Sequence, residues 1–105
     1  MLKLRIPKKL RTPDGIYKVK KSSTLEKREG LVGICVAANK YISIDCNQSK
    51  EEMEKTLVHE ALHAIFPKNT CGEKLEEKIV LALEDGLHYI LTHNKLIVHK
   101  KRKKK

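Results

Sequence analysis

Tryptophan is absent from this 105-residue chain, and only three Tyr and one Phe supply aromatic rings. A core built from it must be aliphatic, packed tightly from Leu, Ile and Val around a few elements. The three cysteines, Cys35, Cys46 and Cys71, are odd in number and form no CxxC pair, which argues against a disulfide framework or a zinc ribbon. No apolar run approaches the length needed to span a bilayer, and no leader pattern precedes the first strand signals. The expectation is a cytoplasmic protein with reduced thiols and no membrane partner. Repeats are also missing, and the length suits one modest core. Residues 1–98 read as a single domain and 99–105 as a basic, disordered tail.

Charge is plentiful, with a formal net charge of +10. Much of it sits in the run Lys100 to Lys105. A solvated tail is the plain reading of that run, and a contact for nucleic acid or another polyanion is the functional one. No aromatic residue interleaves with these cations, so the tail offers no platform for base stacking.

Strand signals occupy the first forty-five residues. Leu2, Leu4 and Ile6 alternate with basic residues up to Pro7, and Ile16 to Lys20 alternates again after the turn sequence Pro13-Asp14-Gly15. Leu31 to Ala37 reads as a strand buried on both faces or nearly so. It forms a hairpin with Tyr41 to Asp45 across Ala38-Asn39-Lys40. Helical signals follow. Ser49 and Glu52 make a capping box, and Met53, Leu57, Ala61 and Ile65 form an apolar stripe. That helix should stop by Phe66, because Pro67 disfavours helical geometry in its predecessor. A second helix is expected from about Glu73 to Thr92, with Thr70 as a candidate cap and Asn94 at its end. Strands followed by helices make an α+β domain.

Within the first helix lies His59-Glu60-Ala61-Leu62-His63, an HExxH sequence. Histidines four apart project from one helical face, so both imidazoles can reach one metal ion, and the glutamate between them can take a proton from metal-activated water. Thr56, His59 and His63 share a face distinct from the apolar stripe. Zinc in a hydrolase usually has three protein ligands and one exchangeable position. The second helix offers Glu73, Glu76, Glu77 and Glu84 for the third. At 100° per residue, Ile79, Val80, Leu83, Leu87 and Ile90 fall within about 60° of Glu76. Glu76 is therefore expected on the buried stripe, where an unpaired carboxylate would be costly and a metal would relieve it. Glu77 and Glu73 are the alternatives, and a Cys71 thiolate is conceivable. His88, His93 and His99 read as solvated or packing residues.

The segment Thr56-Leu57-Val58-His59-Glu60-Ala61-Leu62-His63-Ala64-Ile65-Phe66 resembles the active-site helix of small gluzincin-type metallopeptidases of phage and bacterial genomes, similar to the ImmA/IrrE and SprT-like groups. Leu75-Glu76-Glu77-Lys78-Ile79-Val80 resembles their glutamate helix. The likeness spans roughly residues 15 to 92. It implies a minimal zincin-like fold: a small twisted sheet, then the HExxH helix, then a glutamate-bearing helix. It further implies Zn2+ on His59, His63 and Glu76 (or Glu77), Glu60 as general base, and a peptide or protein substrate. In similar enzymes an edge strand pairs with extended substrate, a role open here to Tyr41–Asp45 or Leu31–Ala37. The alternative is a catalytically inactive zinc-stabilised binding module, associated with nucleic acid through the tail. An exchangeable metal position would favour catalysis, and a fourth protein ligand such as Cys71 would favour a structural role.

Overall fold

The computed structural model describes residues 5–25, 30–66 and 71–94. Four strands, β1 (Lys9–Thr12), β2 (Gly15–Ser22), β3 (Gly33–Val36) and β4 (Tyr41–Asp45), precede two helices, α1 (Lys50–Ile65) and α2 (Glu73–His93). The domain is thus α+β, as the order of sequence signals implies. The strands form one sheet in the order β1-β2-β4-β3, with β2 and β4 parallel and the other two pairs antiparallel.

The first strand differs from expectation. It lies after Pro7, at Lys9–Thr12, while Arg5 to Pro7 are not in a strand and the preceding residues lie outside those described. The cause is the two-residue connection Pro13-Asp14, which pairs Thr12 with Gly15 and so fixes the register of the hairpin. Gly15 adopts φ +119°, a conformation that other residues reach only at a cost. Leu10, opposite Tyr17, then takes the inward position expected of the earlier leucines.

Alternation on β2 and β4 turns Tyr17, Val19, Ile42 and Ile44 toward α1. With Met53, Leu57 and Ala64 of the helix they make the core, in which Tyr17, Ile42 and Ile44 are fully buried. Burial of an aliphatic side chain such as Ile42 or Ile44 contributes about 1.5–3 kcal/mol, and Tyr17 adds an aromatic ring to a core expected to be aliphatic. Ser49 caps α1 as expected, its Oγ accepting from the Glu52 amide at 3.1 Å, an interaction worth about 1 kcal/mol. At the other end Phe66 is extended, at φ −71° and ψ 127°, ahead of Pro67. Gly72, rather than Thr70, is the N-cap of α2, and Asn94 is its C-cap.

The topology decides between the two edge candidates and corrects the burial expected of β3. β4 is bonded on both sides and cannot be an edge, whereas β3 is the outer strand beside it. As an edge, β3 is half-buried rather than enclosed, and Leu31 and Val32 before it are exposed. The Asp45 amide donates to the Val32 carbonyl at 2.8 Å, which sets the alternation of the ladder. Gly33 and Cys35 therefore direct their backbone N–H and C=O groups away from β4.

Helix α2 packs on α1 through a face different from the one its apolar pattern suggests. Glu76, Glu77, Glu84 and His88 reach α1 side chains. Leu75, Leu83 and Ile90 remain exposed. Around the helix, the Glu77–Glu84–His88 edge lies roughly a quarter turn from the centre of the apolar stripe. No helix among the described residues is long and apolar enough to cross a membrane.

Candidate metal centre

The HExxH segment occupies the last two turns of α1, so His59 and His63 lie one above the other, with ring centroids 5.0 Å apart. Across from them runs the first half of α2. The Nε2 atom of His63 meets Oε1 of Glu77 at 2.8 Å, and Nε2 of His59 lies 3.5 Å from the same oxygen. The Nδ1 atoms face outward onto two other carboxylates. His63 Nδ1 donates to Oε2 of Glu76 at 2.7 Å, and His59 Nδ1 pairs with Glu84. Each imidazole is thus held between two glutamates.

Ligand atoms of His59, His63 and Glu77 all lie within 4.8 Å of one another, and these three residues could hold a metal ion. Two ligands at 2.0–2.1 Å on a tetrahedral ion would be about 3.3 Å apart. The 2.8 and 3.5 Å separations bracket that spacing. A carboxylate on the far nitrogen of each histidine fixes the tautomer that leaves Nε2 free for metal. The residues present therefore fit zinc.

The glutamate that joins both histidines is Glu77, whereas the one expected from the apolar stripe was Glu76. Glu76 is engaged on His63 Nδ1 instead, the nitrogen turned away from His59 and Glu77. The quarter-turn rotation of α2 is the reason. Glu73 lines the neighbouring groove, and Cys71 is not a member of the cluster.

Glu60 lies between the histidines and is buried, at 7% exposure. Desolvation raises its pKa above the ordinary carboxylate range; His59 and His63 oppose that rise, and Glu77 and Glu84 add to it. Burial alone would lower the pKa of His63, but its hydrogen bonds with Glu76 and Glu77, and the charge of Glu60, raise it above 6.5. The first residue of β3 brings the backbone against this carboxylate. A Cβ on Gly33 would come within 2.4 Å of Thr56 Cγ2 and 3.0 Å of Glu60 Oε2. Only glycine lets the edge strand and the HExxH helix approach so closely.

Two grooves meet over this contact, with volumes of about 510 and 540 Å3. Both are lined by Leu31, Gly33, His59, Glu60 and Glu77. One continues past Thr56, Leu81 and Glu84, and the other past Cys35, Ala37 and Glu76. The edge of β3 thus borders an open channel with the histidine–glutamate cluster at its middle.

Deeper between the helices, His88 Nε2 and Glu54 Oε1 are 2.9 Å apart, both almost wholly buried. His88 is therefore a packing residue, one of the two roles expected for it. Glu84 and Gly33 are site residues that the sequence reading did not single out for these roles. A signal for Glu84 existed: Glu77, Glu84 and His88 recur at seven and four residues, marking one polar edge of α2.

Comparison with known proteins finds no matching family, no matching curated protein and no matching solved structure.

Proposed function

We propose that the chain is a zinc-dependent peptidase of minimal zincin-like architecture, with His59, His63 and Glu77 as metal ligands and Glu60 as general base. The observation that carries this reading is the convergence of two imidazole Nε2 atoms and one carboxylate on a single point, beside a buried fourth acid. The resemblance of the HExxH helix to gluzincin-type enzymes supports it. Three protein ligands, with Cys71 outside the cluster, favour a catalytic over a structural zinc site. A cytoplasmic setting with reduced thiols belongs to the same proposal and rests on the three unpaired cysteines Cys35, Cys46 and Cys71.

Zinc, when bound, supplies Lewis-acid polarisation of a carbonyl and acidifies water. The chain's own residues do the rest. Glu60 receives the proton of the attacking water on a carboxylate oxygen. Its desolvated surroundings make it a stronger base than a surface acid, which suits it to return that proton to the leaving nitrogen. Glu76 and Glu84 position the imidazoles through Nδ1. Backbone groups of Gly33 and Cys35 offer an extended peptide a strand to pair with, so that binding reads main chain more than side chain.

The test is cleavage of unfolded casein by the zinc-loaded chain and by Glu60→Gln. The wild type should cleave, while Glu60→Gln should retain zinc and lose at least a hundredfold in rate. Equal activity in Glu60→Gln would contradict the assigned base. A zinc-loaded wild type without any proteolysis would point to the inert module instead.

A further inference from the structure

The sheet face turned away from α1 carries charge of one sign. Strand register sets Lys9 directly opposite Lys18, and places Lys18 beside Tyr41 and Lys20 beside Ser43. Alternation assigns these residues, with Arg11, to the face opposite the core positions Leu10, Tyr17, Val19 and Ile42. Lys9, Arg11, Lys18 and Lys20 are all exposed. None of the four forms an ion pair with a described carboxylate. The Lys20 ammonium lies instead 4.9 Å from the ring centroid of Tyr41.

Like charges directly across a strand pair are destabilising, and no described carboxylate pairs with these four cations. The acid of β4 that shares the face, Asp45, is only 2% exposed and is bonded by Asn47. On the other side of the sheet Glu52, Glu60, Glu77, Glu84 and Asp85 line one groove, while Asp14, in the turn between β1 and β2, is held by Tyr17 and Lys40. A basic plate therefore backs an acidic channel. Such unrelieved, ordered cations call for an external polyanion.

We infer that this sheet face binds single-stranded nucleic acid, with phosphates on Lys9, Arg11, Lys18 and Lys20 and one base stacked on Tyr41. Neighbouring cations are spaced about 5 Å across strands and about 6.6 Å along β2, an array that follows one backbone. An aromatic ring beside such an array is what base stacking requires, and Tyr41 already accepts a cation over its face. Four strands at about 4.8 Å spacing make a plate too wide for the roughly 12 Å major groove of a duplex. Ile16 and Val32 are the large apolar side chains exposed on this face among the described residues, too little for insertion into a membrane. The surface lies on the opposite side of the sheet from the proposed zinc site and does not depend on it.

The 105-residue chain is titrated against fluorescein-labelled dT15, a 15-base-pair duplex and vesicles of phosphatidylcholine and phosphatidylserine. We expect dT15 to bind most tightly. K18Q/K20Q should weaken it about tenfold and flatten the slope of log K against log salt by about 1.4, or about 0.7 per phosphate contact. Tyr41→Leu should weaken it about fivefold or more. K74Q/K78Q, which removes two exposed lysines of α2, and His59→Ala should leave binding unchanged. The inference is overturned if K18Q/K20Q binds like wild type, including the case where deleting 100–105 alone abolishes binding. It is equally overturned if the duplex or the vesicles compete better than dT15.

Discussion

Glu77 and His63 meet at the open end of the imidazole, with Oε1 2.8 Å from Nε2, while Glu76 holds the opposite nitrogen of the same ring at 2.7 Å. Two adjacent glutamates on one helix thus occupy different positions around one histidine. In the proposed site the first is a ligand and the second orients the ligand.

Their substitutions should separate. Glu77→Gln is expected to weaken zinc more than a hundredfold, because it removes a charged ligand. Glu76→Gln and Glu84→Gln should weaken it about 10–100-fold, the usual effect of losing an orienting partner. Competition titration with a chromogenic zinc chelator measures all three. Equal losses for Glu76→Gln and Glu77→Gln would remove the distinction.

Gly33 is a second position where geometry dictates identity. The added methyl of Gly33→Ala would overlap Thr56 Cγ2 at 2.4 Å and press on Glu60. Overpacking of this kind costs about 1–3 kcal/mol, read as a lower Tm. Thr56→Ser deletes the overlapping methyl and keeps the hydroxyl that bonds Gln48. In the Gly33→Ala background it should therefore restore part of the loss. A double variant no more stable than Gly33→Ala would show that the strain lies elsewhere.

Proton binding gives the metal-free protein a pH dependence of definite sign. Burial opposes charge on His63, but its bonds with Glu76 and Glu77 outweigh burial and raise its pKa. Glu60 is raised chiefly by desolvation. A group raised on folding contributes stability that is complete below its unfolded pKa and is lost as pH climbs through the folded one. Both groups act in that direction, upward from ordinary values of 4.5 for Glu60 and 6.5 for His63. With EDTA present, Tm should fall as pH rises from about 5 to 8. Zinc ligands must shed protons, so the increase in Tm caused by zinc should grow over the same interval. Thermal scans with and without zinc check both slopes, and an EDTA series rising with pH would refute the first.

The helices and the HExxH face were legible because capping, the stop before Pro67 and four-residue spacing are local signals. Ser49, Phe66 and the shared face of His59 and His63 depend on neighbours within one or two turns. The second helix was legible in extent but not in rotation. Ile79, Val80, Leu83, Leu87 and Ile90 suggested one face; Val80 is buried, yet Leu83 and Ile90 are exposed and the polar edge of Glu77, Glu84 and His88 meets α1. Burial of apolar area is only one term. Several charge-assisted hydrogen bonds to His59, His63 and Glu54 are another, and no periodicity count contains it.

Strand order was illegible for a related reason. Leu31 to Ala37 is the more continuously apolar of the two runs and on pattern alone reads as the enclosed strand, yet it is the edge. The parallel pairing of Val19 with Ile42 seats β4 in the interior and leaves β3 outside. That pairing spans more than twenty residues of chain. The role of Gly33 becomes visible only once β3 lies against Thr56 and Glu60.

The most direct measurement is anomalous diffraction at the zinc edge from crystals grown with one equivalent of zinc. The account predicts one peak per chain, within about 2.0–2.2 Å of His59 Nε2, His63 Nε2 and a Glu77 carboxylate oxygen. A peak that includes Glu76 but not Glu77, or no peak between the two histidines, would contradict it.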